Sequence, residues 1–181
     1  AGSGADLLTF NNVVGNTSIQ GFGGSTADTS NDSVVFSSSA NDINVSFAEG
    51  ADSLSFKKGA TNATVAAAGG NDTFVASLTL ASSSIEAGAG DDSLSISVLS
   101  GSSLKAGSGA DTINLSKAVS SQVYTNQDND LIINSGDATT STLSGGAGTD
   151  SISIGGNVTG GKIVGNSGAD SITIVGTVNT A

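Results

Sequence analysis

Nine aspartates recur along the chain at nearly constant intervals, and we call this set the aspartate ladder. Its members are Asp6, Asp32, Asp52, Asp72, Asp92, Asp111, Asp130, Asp150 and Asp170. After a first interval of 26 residues, every later interval is 19 or 20 residues, which indicates a tandem array of packed repeats. If each repeat is one coil of a stack, neighbouring carboxylates lie about 4.8 Å apart, the strand spacing of a sheet.

The residues after each ladder aspartate alternate like a half-buried strand. Positions +2 and +4, such as Leu54 and Phe56, are apolar everywhere except at Asn134, whereas positions +1 and +3 are mostly Ser, Thr or Asn. A further apolar residue follows at +13, or at +12 in the 19-residue repeats: Ile19, Val45, Val65, Ile85, Leu104, Val123, Leu143 and Ile163. No helical periodicity occurs. The pattern predicts an all-β fold, a single parallel β-solenoid of about nine coils.

The array indicates one domain over residues 1–181. The longer first interval predicts a loop insertion near residues 25–30, because an extra loop leaves the register of the core unchanged. The chain starts inside a glycine turn and stops partway through a coil, so we expect it to be a processed part or a fragment of a longer protein.

Charge and composition narrow the possible ligands. The chain has 16 acidic and 5 basic residues, a formal charge of -11, which argues against nucleic acid as a partner. It has no Cys and no His, which excludes the usual zinc, haem and iron–sulfur ligands and leaves hard oxygen ligands that suit Ca²⁺. Adjacent ladder charges would repel by about 3 kcal/mol at an effective dielectric constant of 20, so the ladder requires cations or protons.

Glycine stands two residues before the ladder aspartate in seven repeats. A glycine at positive φ lets backbone carbonyls turn toward a cation while the aspartate supplies a carboxylate. We therefore predict calcium sites at Asp6, Asp52, Asp72, Asp92, Asp111, Asp150 and Asp170, with Gly4, Gly50, Gly70, Gly90, Gly109, Gly148 and Gly168. Asp32 and Asp130 are weaker candidates, because Ser30 and Asp128 replace the glycine. The alternative is an ordinary glycine turn with a ladder that hydrogen bonds hold without metal.

The segment Gly145 to Ser153 fits the nonapeptide GGxGxDxUx, in which U is a large apolar residue. Four other segments fit with one or two departures: 165–173, 106–114, 87–95 and 1–9. The chain thus resembles the repeat-in-toxin (RTX) proteins. The resemblance implies a parallel β-roll with calcium between successive turns, bound by loop carbonyls and the motif aspartate. The longer period is similar to that of RTX-type ice-adhesion modules, and residues 148–164 come nearest to it.

Catalysis is not expected, because the chain has no His, Cys or Arg and carboxylates, lysines and one tyrosine offer few catalytic arrangements. RTX-like chains of this composition resemble bacterial surface-layer proteins and large secreted adhesins. We expect a secreted, calcium-stabilised structural protein of a bacterial surface layer or filament that self-assembles, with cell-surface polysaccharide as a further partner. The alternative is an adhesin module that binds ice or glycan through outward Ser and Thr. Neither nucleic acid binding nor membrane insertion is expected.

Overall fold

The computed structural model describes residues 4–12, 14–22 and 29–179. In these ranges the regular structure is entirely β, and all pairings between the strands are parallel within one sheet. The strands are β1 (Leu7–Phe10), β2 (Val14–Phe22), β3 (Ser33–Phe36), β4 (Ala40–Phe47), β5 (Ser53–Phe56), β6 (Ala60–Thr61), β7 (Thr64–Ala66), β8 (Thr73–Ala81), β9 (Ser84–Ala89), β10 (Ser93–Ser100) and β11 (Ser103–Ser108). They continue with β12 (Thr112–Val119), β13 (Gln122–Gln127), β14 (Leu131–Asn134), β15 (Ala138–Thr139), β16 (Thr142–Ala147), β17 (Ser151–Ile154), β18 (Val158–Thr159), β19 (Lys162–Ser167), β20 (Ser171–Ile174) and β21 (Val178–Asn179).

The predicted β-solenoid is confirmed, but its coil count is lower than predicted. Each strand pairs with the equivalent strand one repeat away, as in the register Ser33↔Ser53 of β3 and β5. About seven complete turns are described instead of nine. They run from Asp32 to Asp170, because residues 23–28 of the first coil lie outside the described residues and the described part of the last coil ends at Asn179. Most of the predicted insertion near residues 25–30 falls in that excluded stretch.

The core is a set of apolar columns parallel to the solenoid axis. In the coils that begin at Asp32 to Asp150, the predicted inward positions are buried, for example Val34, Phe36, Ile113 and Ile152, and so is the +13 column from Ile19 to Leu143. A further column, which the sequence analysis did not identify, runs through Ala40, Ala60, Leu80, Leu99, Ala118, Ala138 and Val158. Parallel stacking brings identical positions together and buries them in one narrow core.

Phenylalanines in the first coils stack along one column. The ring centroids of Phe10 and Phe36 are 4.9 Å apart, and those of Phe36 and Phe56 are 5.0 Å apart. Phe74, in the next coil, meets Phe56 edge to face at 5.6 Å. Aromatic pairs in these geometries add to the energy of burial, so this column stabilises the early coils.

The 20-residue coil of β8 and the 19-residue coil of β10 share one core because β8 accommodates its additional residue in a bulge. Between β8 and β10, Ala76 pairs with Ile96 and Thr79 with Val98, so two residues of β8 stand against one of β10. This β-bulge contains Leu78, whose side chain is half exposed. The apolar columns therefore stay in register on both sides of the bulge.

Candidate functional site: the aspartate ladder

The ladder aspartates turn inward at the corner that precedes the first strand of each coil. From Asp32 to Asp150 their exposed fractions are between 1 and 6 %. Each Oδ1 accepts a hydrogen bond from the backbone N–H of the ladder aspartate one coil earlier, as from Asp52 to Asp72 at 2.7 Å. The other pairs are Asp6 to Asp32, Asp32 to Asp52, Asp72 to Asp92, Asp92 to Asp111, Asp111 to Asp130, Asp130 to Asp150 and Asp150 to Asp170. The predicted ladder is thus confirmed, Asp32 and Asp130 included.

The second carboxylate oxygen has no equivalent partner. In Asp72, Asp92, Asp111 and Asp150, Oδ2 is buried and accepts no hydrogen bond from the described residues. Asp130 is similar, since the nearby Thr125 hydroxyl donates to the carbonyl of Gly145 instead. A buried carboxylate without a partner for its charge is costly, so the ladder must take up a proton or a cation.

Burial raises the pKa of the central ladder carboxyls, and charge repulsion raises it further, from neighbouring ladder aspartates at Asp72 and Asp111 and from Asp91 at Asp92. The pKa of Asp72 rises to about 8, that of Asp111 to about 7 and that of Asp92 to about 6, although the backbone N–H donor opposes the shift in each case. The pKa values of Asp130 and Asp150 are also raised by burial. In the absence of cations, Asp72 and Asp111 therefore retain protons near neutral pH.

All seven predicted turn glycines adopt positive φ, between 108° and 149°. At Gly70 a Cβ atom would lie 2.1 Å from the Gly50 carbonyl oxygen of the preceding coil, so the turns stack too closely for a side chain. Asp128 takes the same position with φ 73°. A second glycine position, missed by the sequence analysis, lies four residues before the aspartate at Gly88, Gly107 and Gly146. Close stacking alone explains these glycines, whether or not metal binds.

The column five residues before each ladder aspartate also points inward. It contains Phe47, Ala67, Ala87, Ala106 and Thr125, which are all buried, and then Gly145 and Gly165. The strand registers align Ala87, Ala106, Thr125, Gly145 and Gly165 in successive coils. At Gly145 a Cβ atom would lie 2.3 Å from Asp150 Oδ2, and at Gly165 it would lie 2.1 Å from Asp170 Oδ2. In these two coils the carboxylate lies directly against the turn backbone.

Metal ligation at the ladder remains a prediction. No group of three or more His, Cys, Asp or Glu side chains in the described parts of the chain is arranged to hold a metal ion. The ladder brings neighbouring aspartates together two at a time, each with its turn glycine. Calcium takes six to eight oxygen ligands, so a site here would need backbone carbonyls and hydroxyls besides Oδ2.

A second row of polar residues at another corner was also missed. Ser83, Ser102, Ser121 and Ser141 are buried, and we call them the serine ladder. Each hydroxyl accepts the backbone N–H of the equivalent residue one coil earlier, from Ala63 onward, at 3.0 to 3.3 Å. Each hydroxyl also donates to the carbonyl two residues before it. The sequence signal for this row was the serine that recurs two residues before the +13 column.

A shallow trough of about 440 Å³ runs over the serine ladder across four coils. Its lining residues are uncharged and mostly polar, and include Asn62, Thr64, Ser82, Ser103 and Gln122. The trough therefore presents hydroxyl and amide groups at the coil spacing.

No protein-family model matches this chain, and no match was found among curated proteins or among solved structures. A search of the described residues for a helix long and apolar enough to cross a membrane found none. The parallel β-solenoid with its regular aspartate ladder is compatible with an RTX-like fold, and the RTX likeness otherwise rests on the sequence motif alone.

Proposed function

We propose that this protein is a calcium-stabilised structural element of an extracellular surface layer or filament. The supporting observation is the row of buried Oδ2 atoms that lack a hydrogen-bond donor, in Asp72, Asp92, Asp111 and Asp150. A cation beside this row supplies the positive charge that the chain lacks, since its formal charge is -11. Binding to the folded state alone adds the binding free energy to the stability of the solenoid.

Extracellular calcium fits this ladder better than a transition metal does. The available ligands are carboxylate, carbonyl and hydroxyl oxygens, which are hard ligands. Sites that work at millimolar extracellular calcium need only weak affinity. Such a protein would fold only after export from the cell, where calcium is available. Calcium would neutralise the carboxylates where their protons are lost, at and above neutral pH.

Self-assembly is proposed from the end coils. Within the described residues, β20 and β21 pair only with the preceding coil, and β1 pairs only with the following one. In the last coil Ile172, Val175 and Val178 are exposed by 43, 75 and 56 %. Another coil, from the same chain or from a second copy, would cover such edges and side chains, and self-assembly is the proposal that a second copy supplies it.

The test is a calcium titration of chelator-stripped protein, followed by far-ultraviolet circular dichroism and light scattering in the same samples. We expect a cooperative gain of β signal together with an increase in mass. A β signal that is complete and unchanged by calcium would contradict the stabilising role. A gain of β signal with a constant monomer mass would contradict self-assembly only.

A second candidate is an adhesin module that binds glycan. It is supported by the uncharged trough over the serine ladder, whose hydroxyl and amide groups can pair with sugar hydroxyls. Ice binding is a related idea that requires regular rows of outward Ser and Thr. Leu131 and Ile133 interrupt these rows in β14, which weakens that idea. Binding on a glycan array that Ser103→Lys abolishes would support the adhesin role, and thermal hysteresis would support ice binding.

A further inference from the structure

We infer that the outer face of the first strand of each coil is a surface on which a second copy of this chain docks side by side. The inference rests on the proposed self-assembly in taking a second copy as the partner, but it uses a surface other than the end coils. Nine strands pair in one row to form this surface: β1, β3, β5, β8, β10, β12, β14, β17 and β20. We call it the neutral face.

The neutral face carries no charge. It consists of positions +1 and +3 after each ladder aspartate, which are Ser, Thr, Asn, Val, Leu or Ile in all nine strands. The 16 acidic and 5 basic residues of the chain all lie elsewhere. A second copy with the same formal charge of -11 therefore meets the least repulsion here. Small uncharged side chains also let two sheets pack about 10 Å apart.

The two edges of the neutral face differ in charge. The edge at which the chain enters the face is the aspartate corner, with the exposed acids Glu49, Asp91 and Asp128. The edge at which the chain leaves, at positions +5 to +7, has the exposed lysines Lys57, Lys58 and Lys117. Asp137 is the single acid at the lysine edge in the described coils, and its Oδ1 accepts the backbone N–H of Asn157. The face thus lies between an acidic edge and a mainly basic one.

A two-fold axis parallel to the solenoid axis brings opposite edges together. It sets each coil against the same coil of the second copy, so Lys57 and Lys58 of one copy lie opposite Glu49 of the other. Position +1 then faces position +3, and the apolar pair Leu131 and Ile133 meets its own equivalent. An antiparallel pair would instead set one acidic edge against the other. Charge and apolar matching therefore favour the same arrangement.

The size of the neutral face suits a weak dimer. Nine strands of four residues cover about 38 Å by 13 Å, which is about 1,000 Å² over both copies. Specific interfaces begin at about this size, so dimer formation should depend on protein concentration and on the charges at the edges. Val35, Val75, Leu131 and Ile133 supply apolar contacts between the rows of hydroxyl groups.

The experiment measures the mass of the full chain by sedimentation equilibrium at a series of concentrations, with calcium present and circular dichroism to verify folding. We expect a dimer that Ser95→Asp weakens by at least about 100-fold, because it buries charges without partners in the middle of the face. Ser84→Asp is the matched control, because Ser84 is also exposed but lies on β9, outside the neutral face. The dimer should persist in this control.

A charge exchange tests the arrangement of the two copies. Lys58→Glu and Glu49→Lys should each weaken the dimer by about fivefold, and the double variant should restore most of the affinity. Only the arrangement with equivalent coils side by side places these two residues opposite each other. An antiparallel pair or an end-to-end stack gives no such restoration.

Three results would overturn the inference. A folded chain that stays monomeric at every concentration would refute docking on this face but leave calcium stabilisation intact. Open-ended growth that Ser95→Asp leaves unchanged and Val175→Lys abolishes would assign assembly to the end coils alone. Thermal hysteresis of a monomer, lost in Ser95→Asp, would assign the face to ice. A dimer that forms whether or not calcium is present would instead refute the proposed role of calcium and support this inference. If Ser95→Asp does not fold, the charge exchange still decides the matter.

Discussion

The corner of the aspartate ladder and the corner of the serine ladder differ in how their buried polar atoms are satisfied. At both corners a side-chain oxygen accepts the backbone N–H of the preceding coil, as Asp72 does from Asp52 and Ser102 does from Ser83. The serine hydroxyl then donates its own proton to a nearby carbonyl, so its polarity is satisfied within the protein. An ionised aspartate has no proton to donate, and its Oδ2 stays unsatisfied. The serine corner therefore satisfies its own polar atoms, whereas the aspartate corner leaves a buried oxygen whose charge needs a proton or a cation, so we expect it to be sensitive to pH and to cations.

The largest effect should come from the close stacking at the aspartate corner. Gly107 has φ 134°, and a Cβ atom there would lie 1.7 Å from the Gly88 carbonyl oxygen. Gly107→Ala should lower the free energy of unfolding by about 4 kcal/mol or more, because the coils must separate. The control is Gly101→Ala at the serine corner, with φ 56° and no atom nearer than 3.9 Å. In urea denaturation, Gly101→Ala should lose only about 1 kcal/mol of the free energy of unfolding. Equal losses in the two variants would contradict the closer stacking at the aspartate corner.

The next effect is a pH dependence confined to the aspartate corner. Because the folded pKa values of Asp72, Asp92 and Asp111 lie above the ordinary value of 3.8, the folded protein binds more protons than the unfolded chain above that pH. Without calcium, the free energy of unfolding should be highest near pH 4 and fall until about pH 8, by about 1.4 kcal/mol for each unit of raised pKa.

Urea denaturation at a series of pH values, with and without calcium, measures this dependence. Saturating calcium should flatten the profile, because the cation replaces the protons. Asp111→Asn should also reduce the slope, since the amide oxygen can still accept the N–H of Asp92 while the charge is lost. A calcium-free profile that is flat or rises between pH 4 and pH 8 would contradict the assignment.

Breaking the serine ladder should have a smaller effect that is independent of pH. Ser102→Ala removes the acceptor for the backbone N–H of Ser83 and leaves that group buried. The expected loss is about 1–3 kcal/mol in the free energy of unfolding. The exposed Ser84 provides the control, and Ser84→Ala should change stability by less than about 0.5 kcal/mol. A loss for Ser102→Ala that varied with calcium would show that the two corners are coupled.

The smallest effect is expected on the outer side of the aspartate corner. Asn71 Oδ1 accepts the backbone N–H of Asp91 at 2.9 Å, but this hydrogen bond is exposed to water. Asn71→Ala should therefore cost only about 0.5–1 kcal/mol, measured by thermal unfolding. A loss as large as that of Ser102→Ala would mean that the outer hydrogen bonds carry more of the stability than their exposure indicates.

The fold was largely predictable because repetition averages out local ambiguity. In almost every coil, apolar residues at positions +2 and +4 alternate with polar residues at +1 and +3. A pattern repeated so often does not arise by chance, and it identifies the residues that face the core from Val34 to Ile152. The serine ladder was not predicted because serine is abundant everywhere in the chain. Only the three-dimensional register shows that Ser83 and Ser102 face inward while Ser84 faces out.

The candidate site was predictable in part. The spacing located the ladder and its glycines, but it could not show that Oδ1 is used by the backbone while Oδ2 is left over. The two oxygens of one carboxylate differ only in their surroundings, which depend on residues 19 or 20 positions away.

The bulge at Leu78 allows the number of residues in a coil to vary. Because the bulge in β8 takes up the extra residue, a 20-residue coil precedes a 19-residue coil here without any change in the columns on either side. Duplication or deletion of whole coils would therefore alter the length of the rod in steps of about 4.8 Å while its cross-section stays constant. A rod of this kind can be extended or shortened by recombination, or by an engineer, without redesign of its interior.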